Sequence, residues 1–409
     1  MATVVLAGTL DTKGEEYAWM RERLRAHGCE VVLADTGVLA APGRPGCDIT
    51  AEEIARAGGA RLERLRADGD RGAAVAAMAA GLERVVCGLH GRGRLHALLA
   101  AGGSGGSAIA ARAMRALPFG VPKLLVSTMA GGDVRAYVGS ADVTLMHSVA
   151  DIAGLNSLST RVLGNATAAA AAMARGYADR GAAAARPSRP VVAATMFGVT
   201  TPAVDAARAR LTGRGYEVLV FHATGAGGRA VEKLAADGAL AGVLDLTTTE
   251  LADELVGGVL SAGPDRLTAA GAAGVPQIVA PGALDMVNFG PRPTVPARFA
   301  GRRLLEHNET VTLMRTTAEE MAALGAAMGR KLAASAGPVE VLWPLRGVSA
   351  VDTAGGPFED AAADAAGLAA LRDRLAGTRI PVHLLDAHLN DPGFAHTAAD
   401  RLHALITAG

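Results

Sequence analysis

The strongest constraint on this fold is that the chain carries one pattern twice. TVVLAGTL from Thr3 aligns with PVVAATMF from Pro190, and RERLRAHGCEVVLADTG from Arg21 with RARLTGRGYEVLVFHATG from Arg208. Val4 falls on Val191, Gly28 on Gly215 and Glu30 on Glu217, a constant offset of 187 residues. Strand, helix and strand therefore recur without a gap. Further on, VPKLLVST from Val121 matches VPQIVAPG from Val275 at an offset of 154, and DVTLMHSVADIAGL from Asp142 matches TVTLMRTTAEEMAAL from Thr310 at 168. Such drifts mean insertions in surface loops, which tolerate them far better than core elements do. The larger lies in the first half, in GVLAAPGRPGCDIT from Gly37.

A duplicated chain of 409 residues needs two cores, since single domains usually hold about 100–200 residues. The expected division is 1–186 and 187–409. In each half, short apolar runs alternate with segments of helical spacing, β-α-β-α-β-α-β-α-β. This predicts an α/β fold of two tandem Rossmann-like domains with doubly wound parallel sheets. Strands are expected near Thr3–Gly8, Glu30–Ala34, His96–Ala101, Lys123–Ser127 and Asp142–Met146, then near Pro190–Thr195, Glu217–Phe221, Gly242–Leu246, Gln277–Ala280 and Val311–Met314. The Ala-rich stretch Ala166–Ala185 reads as a long helix before an RPSRP linker. SVAD from Ser148 and TTAEE from Thr316 read as capping boxes. A last piece from Val339, with VEVLWPL and PVHLLDA, extends the second sheet or crosses back to the first.

Forty basic and forty acidic groups balance, and aromatics are 3% of the chain. Neither a polyanion-binding surface nor a base-stacking platform is indicated, so no nucleic-acid partner is expected. Cys29, Cys47 and Cys87 lack metal-ligand or disulfide spacing, which fits a reducing cytoplasm. Asp11 and Lys13 interrupt the apolar start too early for a secretory signal, and no membrane role follows.

Open parallel sheets bind ligands beyond the carboxyl ends of their strands, where strand order reverses. After the first strand comes GTLDTKGEE, with Gly8 for close approach, hydroxyls on Thr9 and Thr12, Asp11, and the cation Lys13. This reads equally as a phosphate cradle and as an ordinary helix cap. After the third strand comes AGGSGGSAIAARAM from Ala101. Gly102, Gly103, Ser104, Gly105, Gly106 and Ser107 there expose successive backbone N–H groups in an anion-binding nest.

In the second half the equivalent turn is DLTTTELADE, hydroxyl-rich instead of glycine-rich. Thr247, Thr248, Thr249, Asn288 and Arg346 are its candidate substrate ligands, and Glu250, Asp285 and His388 its candidate acid/base groups. His307 is a further polar candidate, and TGAGGRAVE from Thr224 a further glycine-rich turn. Asp386 and His388, two residues apart on a strand end, would face one way, as a divalent-metal pair or a proton-transfer pair requires. No third ligand is evident, so the metal is left unnamed.

Taken together, GTLDTKGEE, GGSGGSA, AMRALPFGVPKLLVSTMAGGDVRAYVGSADVTLMHSVADIAGLN, TMFGVTTPAV, FHATGAGGRA, LDLTTTELADELVGGVLSAGPDRL, PGALDMVNFG, PLRGVSA and DAHLNDP resemble the tomato mosaic virus resistance protein-like ATP-binding family. The resemblance spans essentially the whole chain. It corresponds to the amino-terminal module of members that continue into a TIM-barrel, phosphoenolpyruvate-hydrolase-like region. It implies ATP as cofactor, with Mg2+ as its counter-ion, a homodimer, and a separate TIM-barrel protein as partner. By the same resemblance the nucleotide loops are those around Gly8–Lys13, Gly102–Gly106 and Ser127–Ala130, which adds Ser127, Thr128 and Met129. The chain departs from the family in its extended GVLAAPGRPGCD loop, in HALLAAGG, and in His147 where Tyr is expected.

Three functions fit these readings. One is a nucleotide-dependent enzyme of small-molecule metabolism, its substrate in the cleft between lobes. Another is a non-catalytic, dimeric ATP-binding module that docks a protein. The third is an enzyme like the sugar-nucleotide epimerases and glycosyltransferases, by analogy of fold.

Overall fold

A computed structural model describes residues 1–39, 46–180 and 189–408. The chain divides into two compact units, Met1–Ala185 and Arg186–Gly409.

Unit one is built on β1 (Thr3–Gly8), β2 (Glu30–Asp35), β3 (Ala97–Gly102), β4 (Lys123–Ser127) and β5 (Thr144–His147). They form one parallel sheet in the order β2-β1-β3-β4-β5. The central strands TVVLAG, ALLAAG and KLLVS are buried along their whole length, the mark of strands covered on both faces. Alternation sorts their side chains. Val5, Ala7, Leu98 and Ala100 face the helices Ala51–Ala57, Arg71–Gly91 and Ser104–Ala116, while Val4, Leu6, Leu99 and Ala101 face the helices Leu10–Ala26 and Ser159–Arg180. The Ala-rich helix thus starts earlier than expected, at Ser159, and positions 181–185 of that expectation lie outside the described residues.

Unit two has the same plan. It contains β6 (Val191–Met196), β7 (Glu217–His222), β8 (Gly242–Thr247), β9 (Gln277–Gly282), β10 (Met286–Phe289), β11 (Leu304–Asn308), β12 (Val311–Arg315), β13 (Val339–Pro344) and β14 (Val382–Leu385). Six of these form a parallel sheet in the order β14-β13-β9-β8-β6-β7. Read from β7, the strand order repeats that of unit one, with one strand added at the far edge. The C-terminal piece therefore extends the second sheet.

One strand falls in the wrong place. Val311–Met314, expected as the fifth parallel strand, is the middle of a three-stranded antiparallel sheet in the order β10-β12-β11. The position beside β9 belongs to β13. VTLM, present in both halves, has the β-branched, alternating character of a strand, but that character does not specify the partner. The nearby hairpin supplies it, with Asn308 Oδ1 accepting from Thr310 N at 2.9 Å in the turn. The two capping expectations also part. Thr317 and Glu320 form a capping box on the helix Ala318–Ala333, whereas Ser148 caps nothing and hydrogen-bonds to Ala150 O at 2.7 Å.

The units differ between their second and third strands. Among the described residues, unit two crosses over with one helix, Ala226–Ala236, and unit one with three, Ala51–Ala57, Leu62–Asp68 and Arg71–Gly91. The last is the one described helix long and apolar enough to cross a membrane; here its Met78, Leu82, Val86 and Leu89 lie in the core of unit one.

Candidate functional site

In unit one the strand order reverses between β1 and β3, so the loops after these strands border the crevice. A cavity of about 590 Å³ opens there. One wall is the turn Gly103–Gly106, where β3 hands over to the helix Ser104–Ala116. Gly103 is that helix's N-cap, no side chain caps it, and its first turn carries no acidic residue, so its leading N–H groups present positive charge. Arg71 adds to this charge. A Cβ built on Gly105 would stand 3.6 Å from Arg71 Nη2 and 3.9 Å from Val75. Arg71 also opens the helix Arg71–Gly91, whose N-cap Asp70 accepts from Ala73 N at 3.0 Å and lines the same cavity. Val38, Leu39, Leu65, Ala74, Val75 and Ile109 give the cavity an apolar part of its lining.

Among the residues singled out in sequence, Thr9, Asp11, Thr12, Lys13, Gly103, Ser104, Gly105 and Gly106 line this cavity together. Gly8, Gly102, Ser107, Ser127, Thr128 and Met129 are not among its lining residues. Gly8 is needed for packing, since a Cβ there would lie 1.9 Å from the Tyr17 ring. The Tyr17 hydroxyl sits 2.9 Å from Ala7 O and accepts from Ala101 N at 2.8 Å, tying β1 to β3. Ser107 and Ser127 face each other at 2.7 Å, joining the β3 and β4 turns, and Met129 is exposed. Lys13 breaks the helical path of its helix and donates from Nζ to Ile152 O. Thr36, Val38, Leu65, Arg66, Gly69, Asp70, Arg71 and Asp151, which sequence reasoning did not single out, also line it. Most come from the inserted helices and the loop before them, which have no counterpart in the second half to draw attention to them.

The corresponding crevice of unit two is filled by its own side chains. Glu250 is fully buried. Its Oε1 accepts from Gly225 N at 2.6 Å and Gly228 N at 3.0 Å, at the head of the helix Ala226–Ala236, and its Oε2 meets Arg266 Nε at 2.7 Å. Arg266 reaches on to both oxygens of Asp245, at 2.5 and 2.7 Å. Burial alone would push this guanidinium down; Asp245, Glu250 and Glu232 outweigh it and hold the charge. The glycine-rich turn from Thr224 is thus an anion site occupied by the chain's own carboxylate. Thr247 bonds to Thr200 and Thr195, Thr248 to Ala280 O, and Asn288 to Thr249 and Asp253, all among buried partners.

Asp285 is fully buried beneath the loop after β13 and accepts from Ser349 Oγ at 2.8 Å. Half-buried His388 lies on the same residue, with Nε2 2.9 Å from Ser349 O. Arg346 is exposed and paired to Asp386 at 2.7 Å, so Asp386 and His388 serve different partners. His307 is exposed on β11. Among the described residues, no group of three or more His, Cys, Asp or Glu is placed to hold a metal. Burial pushes the Asp285 carboxyl up to about 7, with Asp352 adding to the rise and Arg315 opposing it. Burial likewise lifts Asp253 to about 7.

Fold and crevice together define a tandem of two Rossmann-like α/β domains, a fold type compatible with nucleotide binding. The chain belongs to the uncharacterised protein family UPF0261, whose N-terminal domain matches residues 2–179 and whose C-terminal domain matches residues 189–406. It is 46% identical to a UPF0261 protein of Clostridium tetani over 98% of both chains. It is 43% identical to the ToMV resistance protein Tm-1(GCR237) of Solanum lycopersicum, a match that covers 81% of this chain and 44% of that longer one. A solved glycosyltransferase, SsfS6 of Streptomyces sp. SF2575, aligns at 14% identity with a TM-score of 0.17, a likeness that bears on neither fold nor function.

Two outcomes follow for unit two. Replacing Glu250→Gln leaves Arg266 and the Gly225 and Gly228 amides short of an anion, and chemical denaturation should show a loss on the order of 3 kcal/mol. A carboxyl raised in the folded state stabilises below its unfolded pKa of about 3.9, and that contribution is lost as pH rises through about 7. Wild-type Tm should therefore fall between about pH 4 and pH 7, and Asp285→Asn should shrink that fall.

Proposed function

We propose that unit one binds a nucleotide, ATP, in the crevice between β1 and β3. The observation that carries this reading is one cavity of about 590 Å³ that an uncapped glycine turn, Arg71 and the apolar side chains Val38, Leu39 and Leu65 line together. Phosphates suit the turn, where backbone amides and a guanidinium meet them without a bulky side chain between. A base suits the apolar side chains. The residues present fit the nucleotide: Gly103–Gly106 and Arg71 would hold its phosphates, Thr9 and Thr12 offer hydroxyls, and Asp11 and Asp151 supply carboxylate oxygens for a magnesium counter-ion.

The filled crevice of unit two supports a nucleotide-binding module over an enzyme that uses Glu250 on a substrate. Glu250, Thr247 and Thr248 already spend their polar side-chain atoms inside the unit, and Asn288 its Nδ2. Association with a second copy and with a separate TIM-barrel partner belongs to the same proposal by family resemblance, and a cytoplasmic setting by the spacing of Cys29, Cys47 and Cys87.

Calorimetric titration with ATP and Mg2+ tests the reading. A Cβ at Gly105 meets only ordinary contacts in the fold, at 3.6 and 3.9 Å, and Gly105 lines the cavity, so Gly105→Val adds bulk at the site. The variant should keep the wild-type Tm and lose ATP affinity by tenfold or more, an effect on the order of a lost charged hydrogen bond. Unchanged affinity would refute the placement.

A further inference from the structure

We infer that the Thr36 hydroxyl recognises a ribose hydroxyl of the bound nucleotide. The inference rests on the nucleotide reading above and adds to it the group that holds the sugar.

Thr36 directly follows β2, at the carboxyl end of the sheet beside β1. Its backbone is fixed there, with Thr36 N donating to Gly8 O at 2.8 Å. The residue is 2% exposed and lines the cavity, and its Oγ1 has no hydrogen-bond partner among the described residues. A buried hydroxyl in that condition has lost water and gained nothing, which native proteins rarely tolerate without a reason. Valine has the same shape and would fill the position without the penalty. The neighbouring carboxylate does not explain the hydroxyl, because Asp35 Oδ1 is engaged by Leu10 N at 3.2 Å and Gly37 N at 2.8 Å.

The position indicates what the hydroxyl is for. In doubly wound sheets, phosphates sit where strand order reverses, and the sugar then lies over the end of the second strand. Here the glycine turn and Arg71 provide the phosphate end, Val38 and Leu65 the apolar end, and Thr36 stands at the tip of β2. A threonine hydroxyl both donates and accepts, so it pairs with another hydroxyl, which does the same. Which of the two ribose hydroxyls it meets depends on the sugar's orientation, and the experiment separates them.

ATP, 2′-deoxy-ATP and 3′-deoxy-ATP are titrated, with Mg2+, into full-length wild type, Thr36→Val and Thr36→Ser, and the Tm of each free protein is recorded. Wild type should prefer ATP to one deoxy analogue by about tenfold, the value of one neutral hydrogen bond in a dry site. Thr36→Val should bind ATP as weakly as that analogue, Thr36→Ser should keep the preference, and free Thr36→Val should melt no lower than wild type. Equal binding of all three nucleotides by wild type, or a preference that survives in Thr36→Val, would overturn the inference and leave the nucleotide site standing. A clear drop in Tm for free Thr36→Val would assign the residue to the fold and overturn it too. Failure of wild type to bind any of the three would overturn the inference and the nucleotide reading together.

Discussion

Backbone N–H groups at the head of a helix have no partner within it and must find an acceptor elsewhere. In a doubly wound sheet several such heads point into one crevice, so the crevice draws negative charge. The two halves of this chain meet that demand in opposite ways. Unit two supplies the anion itself, through a Glu250 carboxylate that bridges the Gly225 and Gly228 amides to Arg266. Unit one brings a glycine turn without a side-chain cap, and a guanidinium, to a cavity with room for a ligand.

Duplication followed by such divergence explains why equal strand orders do not give equal sites. Among the described residues, the crossover between second and third strands is a single helix in unit two and three helices in unit one. The added helices contribute Leu65, Arg66, Arg71 and Val75 to the cavity wall. In unit two the same region is closed by Arg266, buried among Asp245, Glu250 and Glu232. Removing one partner from such a cluster is costly because a charge is left in low dielectric.

Much of this was legible in sequence. The apolar runs at Thr3, Ala97 and Val191 are strands because central parallel strands are buried on both faces, and the two glycine-rich turns are helix starts. What sequence lacked was pairing. TVTLM became β12 in an antiparallel hairpin because local turn chemistry chose its neighbour, and VEVLWP took the vacated place beside β9. The same gap affected the site. Lys13 reads as a phosphate ligand until its ammonium is seen on Ile152 O, and Glu250 reads as a reactive carboxylate until Arg266 is seen beside it. Both partners are loop residues that no spacing rule brings together. Thr36 went unread because an orphaned hydroxyl is a property of the folded surroundings.

Hydrogen exchange at residue resolution, with and without ATP and Mg2+, tests the asymmetry between the halves most directly. Amides of the Gly103–Gly106 turn should become protected on addition of nucleotide, while those of Gly225 and Gly228, already bonded to Glu250, should not change. Protection gained at Gly225 and Gly228, or none at Gly103–Gly106 while ATP binds, would contradict the assignment of the site to unit one.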